Sequence, residues 1–113
     1  MNHVTFTVGQ GLDASNKPIA DLATKRHDAL TDIARTFGGY TAHDSVGGWM
    51  HNGALIEEPS LAVDVMTDAP ESDITREAQR LAVLFDQSAV MTTEEPANVA
   101  FVEQSSATSS ATS

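Results

Sequence analysis

The chain has 113 residues, 16 acids against six bases for a formal net charge of −10, 41% apolar and 5% aromatic residues, and no cysteine. That length suits one hydrophobic core rather than two, and the charge argues against nucleic acid or an anionic membrane surface as partner. Disulfides and thiolate metal sites are excluded, residues 1–8 are too short and polar for a signal peptide, and no run reaches the roughly 18 apolar residues of a membrane span. A soluble, cytoplasmic protein is the expectation.

Residues 3–8 (HVTFTV) alternate apolar with polar and are rich in β-branched side chains, the pattern of a half-covered strand, and Gly9-Gln10-Gly11 ends it. After a turn-like stretch at 13–17, Pro18 suits the first turn of a helix, where its missing N–H costs nothing. Ile19, Leu22, Ala23, Ala29, Leu30, Ile33 and Phe37 then recur at spacings of three and four, one apolar stripe, until Gly38-Gly39 supplies a left-handed stop.

Residues 40–51 and 54–66 read as two strands around Asn52-Gly53, the preferred pair for a type I′ hairpin turn. Gly47-Gly48 suggests a bulge or a close backbone approach in the first strand. In the second, Leu61, Val63 and Val65 share one face, and Ala62 and Asp64 the other. A second helix is predicted to start within 68–72, with Pro70 early, Glu71 and Asp73 at the positive end of its dipole, and an inner stripe of Ile74, Ala78, Leu81, Ala82 and Phe85. Ala89-Val90-Met91 begins a last extended element, interrupted near Glu94-Glu95-Pro96, with residues 99–102 resuming it or returning as an edge strand.

The order βαββαβ implies an α+β, ferredoxin-like sandwich, two helices on one face of an antiparallel sheet, over residues 1–103. Residues 104–113, only Gln, Ser, Ala and Thr, form a predicted disordered tail. The uncovered sheet face needs a partner, and an oligomer formed through it is the natural expectation. All six bases lie on or beside the two helices, so the open face should be the more negative one and suit a cationic ligand.

Three local groupings carry little. His43-Asp44-Ser45 alternates between strand faces and cannot form a relay. His43 and His51, with Asp44 or Glu57, have neither HxH nor HExxH spacing and no evident third ligand, so no metal site is expected. Gly9-Gln10-Gly11 is an incomplete glycine fingerprint, explained by turn chemistry. More informative is Gly47-Gly48-Trp49 facing Glu57-Glu58 across the hairpin: two glycines open access to the indole, and an acid can converge on the same pocket. The plainer alternative is a packed tryptophan beside solvated acids.

Arg26-His27, Gly38-Gly39-Tyr40, Asp44-Ser45, Gly47-Gly48-Trp49, Glu57-Glu58 and the alternation Leu61, Val63, Val65 occur in an order that resembles the bacteriophage S-adenosylmethionine lyases, over about residues 4–102. The resemblance implies cleavage of S-adenosylmethionine to 5′-methylthioadenosine and homoserine lactone by intramolecular displacement, without added cofactor, in a homotrimer with intersubunit sites and in the host cytoplasm if phage-encoded. It implies Glu58 as the catalytic acid, with Trp49 and Tyr40 completing the catalytic set and Gly47, Gly48 and Glu57 binding substrate. Trp49 stands where the family has a tyrosine, and indole offers a cation–π face but no hydroxyl. The alternative is a non-catalytic ferredoxin-like protein, a phage factor binding a small ligand or a host protein.

Overall fold

Residues 1–105 are described by a computed structural model. The elements are β1 (Asn2–Gly9), α1 (Leu22–Phe37), β2 (Thr41–His51), β3 (Ala54–Thr67), α2 (Glu71–Leu84) and β4 (Met91–Pro96). The strands form one antiparallel sheet in the order β2-β3-β1-β4. Together with the two helices this is the ferredoxin-like α+β arrangement. The predicted tail falls mostly on residues 106–113, outside the described residues.

Alternation in β1 and β3 sorts the side chains. Val4, Phe6, Val8, Leu61, Val63 and Val65 are buried on one face, against Ala29 and Ile33 of α1 and Ile74, Leu81 and Phe85 at α2. Phe37 closes the end of this core, its ring 5.9 Å from that of Phe6. Truncating Phe6 or Phe85 would remove large contacts that a core short of aromatics has few means to replace, a loss of about 3–5 kcal/mol. α1 ends as the glycine pair implied: Gly38 adopts φ +91° and donates its N–H to the Ala34 carbonyl.

Three local expectations are corrected. Pro18 does not open α1; it pairs with Leu12 in an isolated bridge, and the helix begins four residues later at Leu22. The Asp13 carboxylate accepts from the N–H groups of Ser15 and Lys17, and Gly11 accepts from Ile19, so a small hairpin competes successfully for this stretch. Consequently Ala23 faces solvent rather than the core. Gly47-Gly48 forms no bulge, since Val46, Gly47, Gly48 and Trp49 pair in unbroken register with Pro59, Glu58, Glu57 and Ile56. β4 runs through Glu94 and Glu95 to Pro96 without interruption because its edge position leaves Pro96 without a required donor, and residues 99–102 form no strand.

The type I′ turn is present, with φ +52° at Asn52 and +80° at Gly53. β1 stops pairing with β3 at Ser60, so residues 46–59 continue past it as a two-stranded ribbon. An isolated two-stranded ribbon is marginal in water. This one carries apolar groups on both faces: Val46 (70% exposed) and Leu55 (62%) on the helix side, Trp49 (46%) on the other.

Candidate functional site

The open face can be read row by row from the pairing registers. Across β2, β3, β1 and β4 it runs Trp49–Ile56, Gly47–Glu58, Ser45–Ser60–Gly9, His43–Ala62–Thr7–Met91, Thr41–Asp64–Thr5–Thr93, then Met66–His3–Glu95. Lys and Arg are absent from these rows, so its fixed charges are carboxylates, in keeping with the charge distribution of the sequence. Small residues, Gly47, Ser45, Ser60, Gly9 and Ala62, make a shallow floor between Trp49 and the histidine-containing rows.

Glu58 stands at the edge of this floor, half-buried and opposite Gly47. A β-carbon on Gly47 would sit 3.2 Å from the Ser60 hydroxyl, so a larger residue there would crowd the floor. Trp49 is on the same face, diagonal to Glu58, where a long aromatic side chain remains within reach. The ladder therefore brings together Glu58, Trp49 and Gly47. It sends Gly48 and Glu57, paired with one another, to the opposite face. Tyr40 precedes the first residue of β2, and nine residues at roughly 3.3 Å each set it about 30 Å from Trp49 along the strand. Within one chain Tyr40 and Glu58 do not share a pocket.

Two contributors were not apparent in the sequence. Gly9 leaves open the space beside Glu58: a β-carbon there would lie 2.6 Å from Gln87 Oε1 and 2.9 Å from Glu58 Oε1. Gln87, just past α2, is held by donation from its Nε2 to the Leu12 carbonyl (2.7 Å) and the Phe85 carbonyl (3.0 Å), which leaves its oxygen facing the same gap. The Leu12 N–H points at Glu58 Oε2 from 3.4 Å. Two acceptor oxygens thus converge over a glycine, an arrangement suited to a donor-rich or cationic group. The only signal in the sequence was the turn glycine itself.

Further along the face, Asp64 accepts from the Thr5 hydroxyl at 2.5 Å and contacts His3 Nε2 at 2.8 Å, while His3 Nδ1 lies 3.3 Å from Glu95 and His43 Nδ1 lies 3.8 Å from Asp64. Burial pushes the Asp64 carboxyl upward, but hydrogen bonds from Thr5 and His3 and the nearby histidine charges hold it below the usual carboxylate range. The hydrogen bond to Asp64 outweighs burial and, with Glu95, raises His3 above its ordinary value. On the helix side Arg26 donates to Asp44 at 2.6 Å, and Gln10 Nε2 bridges Asp44 (2.9 Å) and the Ser60 carbonyl (3.0 Å). The Gln10 bond, then Arg26, lowers the Asp44 carboxyl. This network ties α1 to the strand pair beneath the small-residue floor. His43, Asp44 and Ser45 alternate faces and make no relay, and no group of three His, Asp or Glu side chains among the described residues is arranged to hold a metal ion.

Comparison with known proteins places the architecture. The chain is similar to a phage SAM lyase in its apo state (TM-score 0.59, 19% identity, covering 83% of this chain and 78% of that one). It is similar also to a phage SAM lyase in complex with S-methyl-5′-thioadenosine (TM-score 0.58, 18% identity, 83% and 79% covered). A divalent cation tolerance protein, CutA1 from Thermus thermophilus, superposes equally well (TM-score 0.58, 11% identity, 89% and 88% covered). No protein-family model and no curated protein matches the chain. At these identities the likeness establishes the shared fold, and one fold hosts unrelated chemistries.

Proposed function

We propose that this chain is an S-adenosylmethionine lyase, which releases 5′-methylthioadenosine and homoserine lactone. The observation that carries the reading is the convergence of Glu58 Oε1 and Gln87 Oε1 over Gly9, with Trp49 on the same face. The phage SAM lyase likeness gives that constellation a candidate substrate.

The chemistry is self-contained. A carboxylate oxygen of the substrate forms a bond to its own γ-carbon as the carbon–sulfur bond breaks, and that electron pair neutralises the sulfonium. No proton is transferred and no electron enters from outside, so the step requires neither metal nor added cofactor. Both reacting charges fade in the transition state, whereas the α-ammonium stays charged throughout. Two acceptors suit its N–H donors, so Glu58 and Gln87 hold the ammonium and keep the chain folded for attack. Trp49 presents its ring face to the sulfonium. Transfer into a dry site favours this collapse of charge.

Such a site needs cover that one chain lacks, because Trp49 and the ribbon stand exposed. A homotrimer supplies that cover in this reading. The deciding experiment is incubation of purified protein with S-adenosylmethionine: methylthioadenosine and homoserine lactone are the expected products, and their absence leaves a non-catalytic ligand-binding protein of the same fold.

A further inference from the structure

Tyr40, remote from Glu58, walls a cavity of its own. The sheet is notched where β2 begins: Thr41 pairs with Asp64, so Val65, Met66 and Thr67 of β3 have no β2 partner. Over this notch lies a space of about 430 Å³, within the range of small-molecule sites. Phe37, Tyr40 and Phe101 provide three aromatic walls and Met66 a polarisable one. Phe101 is 83% exposed, so its ring face is available to a ligand.

The charge pattern selects the ligand. Asp64 is the one carboxylate among the described lining residues, and Lys and Arg are absent from them. Thr5 and His3 engage its Oδ1, which leaves Oδ2, 3.8 Å from His43 Nδ1, as the oxygen available to a ligand. Met1 also lines the space, but its ammonium is engaged by Asp68 at 3.2 Å. The last turn of α1 ends at the rim, with Phe37 and Gly38 both lining the cavity, and a helix C-terminus favours positive charge. Aromatic faces, one carboxylate and a helix carboxyl end share a single electrostatic preference. We infer that this cavity binds a small organic cation of the alkylammonium class, its charged head between Asp64 and the aromatic rings. The site is separate from the Glu58 constellation and does not depend on the lyase reading.

The test is a titration of the full chain with choline and, in parallel, with 3,3-dimethylbutan-1-ol, its uncharged carbon isostere, followed by backbone amide shifts. Choline is expected to move Gly38, Gly39, Tyr40 and Thr41 saturably, and the alcohol to bind at least about tenfold more weakly, the cation–π and carboxylate contributions being lost with the charge. Asp64→Asn and Tyr40→Leu should each weaken choline by about fivefold or more as read at residues 38–41, and Glu58→Gln should leave the shifts of those four residues unchanged. Because Asp64 also holds His3 and Thr5, Tyr40→Leu, at a half-exposed ring, is the arm free of folding effects. Equal binding of choline and the alcohol, shifts confined to other residues, no shift at all, or unchanged binding in Tyr40→Leu would overturn the inference.

Discussion

Gly47 and Glu58 are direct cross-strand partners on the sheet face that no helix covers, and this pairing sets the carboxylate beside an open lane to Trp49. The floor beyond them carries only small side chains, so a ligand can lie flat on the sheet while its polar end meets Glu58.

Glu58→Gln should abolish methylthioadenosine formation, a loss of at least about a hundredfold, while leaving the thermal midpoint nearly unchanged. The carboxylate makes one long contact, with the Leu12 N–H at 3.4 Å, so little stability depends on it. Turnover retained in Glu58→Gln but lost in Glu57→Gln would move the role to Glu57.

Gly9→Ala and Gly11→Ala separate site from scaffold. At Gly9 the new methyl meets the Glu58 carboxylate, which can swing aside, and the Gln87 carboxamide, which must loosen its bonds to the Leu12 and Phe85 carbonyls, so activity should fall at least about tenfold with a stability loss of about 1 kcal/mol. At Gly11 it meets Cδ of Pro59 at 2.8 Å, a ring carbon that cannot swing aside, and a stability loss of about 1–3 kcal/mol is expected. Denaturant unfolding read beside turnover resolves the two.

Trp49→Tyr is expected to retain or raise turnover, because it keeps a ring face and adds a hydroxyl, whereas Trp49→Ala should lose most of it. As the one tryptophan, Trp49 also reports assembly. Its emission should move to shorter wavelength as protein concentration rises through an association midpoint, and no shift is expected for a strict monomer.

Leu55→Glu should disperse an oligomer held through the ribbon without unfolding the monomer, since Leu55 is 62% exposed in the isolated chain. Light scattering and circular dichroism together check this, and turnover should fall with the loss of assembly if the site lies between subunits.

The His3–Asp64 pair sets a pH window. His3, raised from 6.5, contributes stability that is complete below 6.5 and lost as pH climbs through its raised value. Asp64, lowered from 3.8, contributes above 3.8 and loses it as pH falls through its lowered value. Both act fully between, so the difference in thermal midpoint between the native chain and His3→Ala should be largest between pH 3.8 and 6.5 and shrink as pH rises above 6.5.

Local physics accounts for what was legible in the sequence. The alternation of β1 and β3, the stripes of both helices, the Gly38 stop and the Asn52-Gly53 turn each follow from periodicity or from a φ that few residues tolerate. Those features determine the element order, the ferredoxin-like arrangement, and the placement of Glu58 and Trp49 on one hairpin. Tertiary structure decided the rest. Pro18 lost its helix-opening role to a small hairpin closed by Asp13, and the paired glycines at 47–48 stayed in register because a continuous ladder satisfies more backbone groups than a bulge. Gln87 reaches Leu12 across 75 positions of sequence, and no pattern at the scale of a turn or a strand can record that meeting. The separation of Tyr40 from Glu58 depends on how far β2 runs, a length set by its pairing with β3. A sequence specifies which side chains share a face, but which faces end at the same point depends on registers that only the assembled sheet defines.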